Sequence, residues 1–305
     1  MSIEKAARSR VFPHGFAAHP SSAASIDQLP DELRSQARKY LPPGEQVNRI
    51  IVNPRAMQSG IDGRRKYRPE HALIFTASGV LSVQETGLDG LFPEAVFICA
   101  ADVLSVQVSL ILLYGRLEII GAQDGRSRRI VLEFNTIGYN LIKPALEPFL
   151  ALSAARCADT GFDPAVEDRA WQQVGDLHIK YWTGLSRHAV GRSEHLKDIV
   201  FQPAIRVPVI FGFTRRAAFP VLFALTNYHL IILGEELAKN HMDYGWVISY
   251  CPLSVIQGFE VVAEKETQRL VIHLQYNNVR RSIEVKVGPE TAHKIAEEWG
   301  SFLVA

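Results

Sequence analysis

The residues of this chain best equipped for chemistry are arginines. Arg64-Arg65-Lys66-Tyr67-Arg68 and Arg215-Arg216 are basic clusters whose arginine pairs lie 151 positions apart, and Arg126, Arg128 and Arg129 in one half face Arg280 and Arg281 in the other. A guanidinium is planar, permanently charged and offers a fork of donors that fits phosphate or carboxylate oxygens, so several converging would make an anion pocket. The competing reading makes them solvated loop charges, or partners of Asp62, Glu70, Asp124 and Glu284. Phe211-Gly212-Phe213 ahead of Arg215-Arg216, with Phe219 behind, would suit insertion at a lipid headgroup layer. The same residues also suit two strand ends around a turn, or a subunit contact.

Other chemistry is sparse. The sequence contains no G-x-S-x-G, H-E-x-x-H, G-x-x-x-x-G-K or G-x-G-x-x-G, the spacings that build a nucleophile elbow, a zinc protease or a phosphate cradle. Cys99, Cys157 and Cys251 lack C-x-x-C spacing, which predicts neither a zinc site nor a disulfide framework and places the chain in a reducing cytoplasm. His178, His188 and His195 fall near a connecting helix without a metal-binding pattern, and His229 and His273 fall on strands. The expectation is a protein with no catalytic residue, cofactor or metal.

Charge narrows the partners. The formal net charge is +1, and Lys plus Arg balance Asp plus Glu within residues 41–152 and within residues 190–305. Non-specific nucleic-acid binding depends on many phosphate contacts, which this balance argues against. The amino terminus has no apolar stretch behind its charges, and the longest apolar run, Val103 to Tyr114, is interrupted by Ser105, Gln107 and Ser109, so neither a signal peptide nor a spanning helix is expected.

The elements that would position the arginines are written twice. Gly44 to Pro54 returns as Ser193 to Pro203, with identities at Glu45/Glu194, Ile50/Ile199 and Pro54/Pro203. Thr76 matches Thr226, Cys99 matches Cys251, Asp102-Val103-Leu104 faces Ser254-Val255-Ile256, and Arg128-Arg129 faces Arg280-Arg281. Such a repeat sets the fold. Alternating Val, Ile, Leu and Phe predict seven strands per copy: 46–53, 72–76, 80–84, 94–99, 103–113, 116–121 and 129–134, then 196–201, 219–225, 230–233, 246–250, 255–262, 269–275 and 281–287. Helices are predicted over 136–154 and 289–303, closing each copy, and over 165–181, with Val174, Leu177 and Trp182 on an apolar face. The predicted organisation is a flexible leader over 1–26, a first repeat with a preceding helix over 27–154, a linker and inter-repeat helix over 155–192, and a second repeat over 193–305.

Three stretches of the second copy carry a family resemblance: Ala224-Leu225-Thr226-Asn227-Tyr228-His229-Leu230-Ile231, Pro252-Leu253-Ser254-Val255-Ile256, and the terminal helix. In the first copy, Leu41-Pro42-Pro43-Gly44-Glu45 joins them, while Phe75-Thr76-Ala77-Ser78-Gly79-Val80 keeps only the threonine. The pattern resembles the bacterial PH and GRAM group of the pleckstrin-homology-like superfold. The resemblance implies a mainly β protein with capping helices: two tandem PH-like seven-stranded barrels, each closed by a C-terminal helix. It also implies that a headgroup would sit where the loop between the first two strands meets that between the sixth and seventh, on Arg64, Arg65, Lys66, Arg68, Arg128, Arg129, Arg215, Arg216, Arg280 and Arg281. Thr226, Asn227 and Pro252 themselves read as turn chemistry. The functional expectation is a non-enzymatic scaffold acting through association with a protein partner or itself, by strand edges, the barrel opening or the inter-repeat helix. The alternatives are recognition of anionic lipid headgroups at the membrane periphery and an enzyme with a site between the copies.

Overall fold

The computed structural model describes residues 19–59, 65–86, 95–111, 114–156, 162–209, 213–235 and 245–301, the side chains of 57–59 and 65–67 excepted. The chain divides into two compact units, one ending at Ala155 and one beginning at Arg156.

The first unit contains β1 (Ser21–Ala23), a 3-10 turn (Ile26–Gln28), α1 (Asp31–Tyr40), β2 (Val47–Asn53), β3 (Ala56–Ser59), β4 (Arg65–Arg68), β5 (His71–Thr76), β6 (Gly79–Gln84), β7 (Val96–Cys99), β8 (Val103–Ile111), β9 (Tyr114–Gln123), β10 (Arg126–Asn135) and α2 (Tyr139–Ser153). One antiparallel sheet has the order β1-β2-β5-β6-β7; β8, β9 and β10 form a meander, and β3 and β4 a separate hairpin. Asp31 and Glu32 stand at the positive end of α1 and Arg38 and Lys39 at its negative end, the charge order that a helix dipole favours. Leu33 and Ala37, one turn apart, bury against Ile50, Val52, Ala72, Ile74, Leu81 and Val83 of the sheet.

The second unit repeats this order. It contains α3 (Pro164–Gly175), α4 (Ile179–Thr183) running into a π turn (Gly184–Ala189), β11 (Leu196–Gln202), β12 (Ile205–Pro208), β13 (Thr214–Ala218), β14 (Val221–Thr226), β15 (His229–Glu235), β16 (Gly245–Pro252), β17 (Ile256–Ala263), β18 (Gln268–Tyr276), β19 (Val279–Val287) and α5 (Pro289–Lys294), which continues as a π turn (Ile295–Trp299). Strands pair in the order β11-β14-β15-β16, β12 and β13 form the hairpin, and β17-β18-β19 the meander. Asp163 accepts from Ala165 N at 2.9 Å and Pro164 occupies the first turn of α3, the usual start signals of a helix. Tyr181 of α4 stacks edge-on with Phe201 and Trp246, and its hydroxyl donates to Glu235 at 2.7 Å.

Irregularities repeat as well as strands. β2 and β11 both shift register near their starts, between Val47 and Arg49 and between Leu196 and Asp198. β8 and β17 both bulge, between Val103 and Ser105 and between Ile256 and Gly258. These registers correct the sequence alignment by one residue. Val80 faces Ile98 while Leu230 faces Cys251, so Ile98 is the counterpart of Cys251, and Arg128 that of Arg281. A slip of one residue moves a side chain to the other face of a sheet; accordingly Ile98 and Cys251 are buried and Cys99 is not.

The expected seven-stranded barrels are not formed. The molecule is mainly antiparallel β with few helices, and among the described residues no sheet closes. Among the described residues β7 pairs only with β6, and β17 only with β18. Short 3-10 turns, Ala100–Asp102 and Leu253–Val255, separate the two layers of each repeat. Where β2 approaches β10, a side chain replaces a ladder: Asn53 Nδ2 donates to the Glu133 carbonyl at 2.8 Å. The helix expected over 165–181 is broken after Gly175 and packs on the sheet of the second unit. Ser21–Ala23, assigned by sequence to the leader, pairs with β2.

Candidate functional site

The arginines stand on strands rather than on loops. Arg64 lies outside the described residues; Arg65, Lys66 and Arg68 belong to β4, Arg215 and Arg216 to β13, Arg128 and Arg129 to β10, and Arg280 and Arg281 to β19. Arg68 pairs with Glu133, near the end of β10 remote from the Asp124-Gly125 turn. Four residues of strand separate Glu133 from Arg129, about 13 Å at the usual rise, and seven separate it from Arg126, about 23 Å. In the second unit Arg215 pairs with Glu266 in the turn before β18, whereas Arg280 and Arg281 follow the Asn277-Asn278 turn at that strand's other end. The hairpin of the second unit therefore meets the turn between the fifth and sixth predicted strands, and that of the first reaches the end of β10 that faces Arg116.

Arg68, Arg129, Arg215 and Arg280 have carboxylate or amide neighbours. Arg129 forks onto Glu118 at 2.9 and 3.2 Å, and Arg116 reaches the same carboxylate at 2.6 Å. Burial lowers the pKa of Arg68. Arg216 lies over the Phe219 ring at 4.9 Å, and Arg280 Nε donates to Gln275 at 3.1 Å.

The repeated Glu and Thr prove to be a turn clamp. In the first unit Thr76 Oγ1 accepts from Gly79 N at 3.0 Å and Glu45 accepts from Ser78 N at 3.3 Å and from its hydroxyl. Hydrogen bonds from Ser78 and Thr76 lower the Glu45 pKa. In the second unit Thr226 Oγ1 accepts from His229 N at 2.8 Å, and Glu194 takes His229 Nδ1 at 2.5 Å and Gly191 N at 2.8 Å. Burial alone would raise the Glu194 pKa; the adjoining His229 and the hydrogen bonds bring it below the ordinary value. Both clamps join the start of the first sheet to its hairpin, a structural task.

Two exposed apolar features fall where the sequence reading looked for association surfaces, on the inter-repeat helices and on a strand edge. On the helices, Phe162 stacks on His195 at 4.2 Å, His195 meets Glu167 at 3.1 Å, Glu167 accepts from Trp171 Nε1 at 3.3 Å, and Trp171 packs edge-on with Trp182 at 5.4 Å. Phe162, Ile179 and Trp182 remain exposed. The other feature is the edge strand β17. Phe259 and Val261 face Ile272 and Leu270 across the ladder, and directly opposed residues share a face. Leu270 is 0% exposed but Val261 is 38% exposed; its counterpart Val108, opposite Leu117, is 0% exposed. Sequence could not find this, because Val108 and Val261 look alike in their strands.

Among the described residues no group of three or more His, Cys, Asp or Glu side chains could hold a metal ion, and no helix is long and apolar enough to cross a membrane. No family model matches the chain and no curated protein matches it, so its functional reading rests on its own geometry.

Proposed function

We propose that this chain is a non-enzymatic, cytoplasmic binding module that works by protein association. The observation that carries the reading is the edge of β17, where Val261 is 38% exposed on the face that buries Leu270. An unpaired strand edge with accessible apolar side chains is a template for another strand. Support also comes from the arginines, several of which are already matched by Glu118, Glu133 and Glu266. The likeness to the bacterial PH and GRAM group belongs to the same proposal through its turn motifs, without the closed barrel. The test sets a random peptide display library against the immobilised full chain, beside co-sedimentation with phosphatidylserine vesicles. Saturable peptide ligands without vesicle binding are expected; salt-sensitive vesicle binding with no peptide ligand would overturn the reading.

A second reading, recognition of an anionic surface, is favoured by one observation on the β12–β13 hairpin. Arg206 and Arg216 are direct cross-strand partners, and Phe213 at the hairpin tip is 71% exposed. Two arginines side by side near an exposed aromatic tip suit an anionic surface, each basic residue being worth about 1 kcal/mol at an anionic membrane. Arg206→Glu with Arg216→Glu should abolish vesicle binding if this reading is right and leave peptide ligands untouched if it is not.

A further inference from the structure

The edge of β17 also carries information about what would cover it. Among the described residues its only ladder partner is β18, and the bulge between Ile256 and Gly258 interrupts its regular run. The segment open to a new strand is therefore 259–263. Within it Phe259 and Val261 lie on the face of Leu270 and Ile272, and Glu260 on the opposite face, opposite Val271. A strand laid along this edge places apolar residues beside Phe259 and Val261 and a residue of its other face beside Glu260.

Charge decides between occupants. Glu260 is exposed, and its partner is the imidazole of His273 at 3.0 Å rather than a permanent cation. The turn Ile295–Trp299 packs against β17 and adds exposed Glu297 and Glu298, of which Glu297 likewise pairs with an imidazole, His293, at 2.9 Å. A second copy pairing edge to edge about a two-fold axis near the middle of the run would bring Glu260 close to its own image, which opposes self-pairing. A segment with lysine or arginine at that place is attracted instead. The counterpart position in the first unit is Gln107, on a strand whose Val106 and Val108 are buried; the exposed carboxylate is thus peculiar to the repeat whose edge is open.

Resting on the protein-association reading, we propose that β17 takes up an extended peptide strand alternating apolar with basic residues, its basic side chain placed at Glu260. Ladder bonds from the free edge would supply affinity and the alternation specificity. The test uses the full chain and two fluorescein-labelled peptides of about seven residues, an ordinary short strand: one alternates valine with lysine, the other valine with glutamate. Fluorescence anisotropy should show saturable binding of the lysine peptide, at least about ten-fold tighter than the glutamate peptide, because a cross-strand attraction is replaced by a repulsion. Glu260→Lys, a change at an exposed site, should invert that preference. A wild type that binds neither peptide, or a preference that Glu260→Lys leaves in place, overturns the proposal. If the display library yields ligands that the lysine peptide does not displace, the proposal fails while the association reading stands. If the library yields no ligand at all, both fall.

Discussion

His71 opens β5 with its ring buried and Nε2 2.8 Å from Ser82 Oγ. Its direct cross-strand neighbours, Asn53 and Gln84, are uncharged amides, and burial holds its pKa down to about 4 against an ordinary 6.5. Because the folded value lies below the unfolded one, the unfolded chain binds the proton more readily. The stability contribution is full above about pH 6.5 and is lost as pH falls toward about 4, in total about 3 kcal/mol. The assay can read each unit separately. All four tryptophans, Trp171, Trp182, Trp246 and Trp299, lie in the second unit, so indole fluorescence follows that unit and amide exchange of β5 and β6 follows the first. Between about pH 7 and about pH 4, protection of β5 and β6 should fall further in wild type than in His71→Gln, by about 3 kcal/mol, with tryptophan unfolding midpoints the same in both. A difference between the two proteins that stays flat with pH would refute the reasoning.

Three further outcomes follow from the second unit. Glu194→Ala removes the carboxylate that the fully buried His229 meets through Nδ1 and should cost about 1 to 3 kcal/mol in tryptophan-monitored denaturation, while Glu45→Ala, which frees only turn donors, should cost about 1 kcal/mol by amide exchange. Since the Glu194 pKa is lowered, the wild-type contribution is present above the ordinary glutamate range and is lost as pH falls through the lowered value. Trp299 is 1% exposed and donates to Asp198 at 2.9 Å; Trp299→Ala should lower stability by about 3 to 5 kcal/mol in urea, and a loss below about 1 kcal/mol would remove it from the core. Burial pushes the Cys251 thiol up to about 12, so iodoacetamide at mildly alkaline pH should label it only as fast as the second unit unfolds.

Much of the fold is legible in the sequence because the strands of the two layers are short apolar runs, alternating or, in β5 and β14, continuous, bounded by turn residues. The exceptions have physical causes. β12 and β13 are short and half-exposed, with Arg206, Arg215 and Arg216 in place of an apolar face, so no period marks them. Closure of the barrels depends on whether two strand ends share a ladder, which residue types do not record; the 3-10 turns at Ala100–Asp102 and Leu253–Val255 leave the seam open. The arginine clusters are legible as clusters, but their convergence is not, since it depends on which turn the hairpin meets. The open edge is the least legible feature, because Val108 and Val261 occupy equivalent apolar positions and differ only in exposure.

The most direct test of association through β17 is amide exchange across the full chain with and without a peptide ligand taken from the display selection. Protection should rise at Phe259–Ala263 and stay unchanged in the β12–β13 hairpin. Protection confined to Thr214–Ala218, or to the helices bearing Trp171 and Trp182, with β17 exchanging as in the free chain, would contradict it.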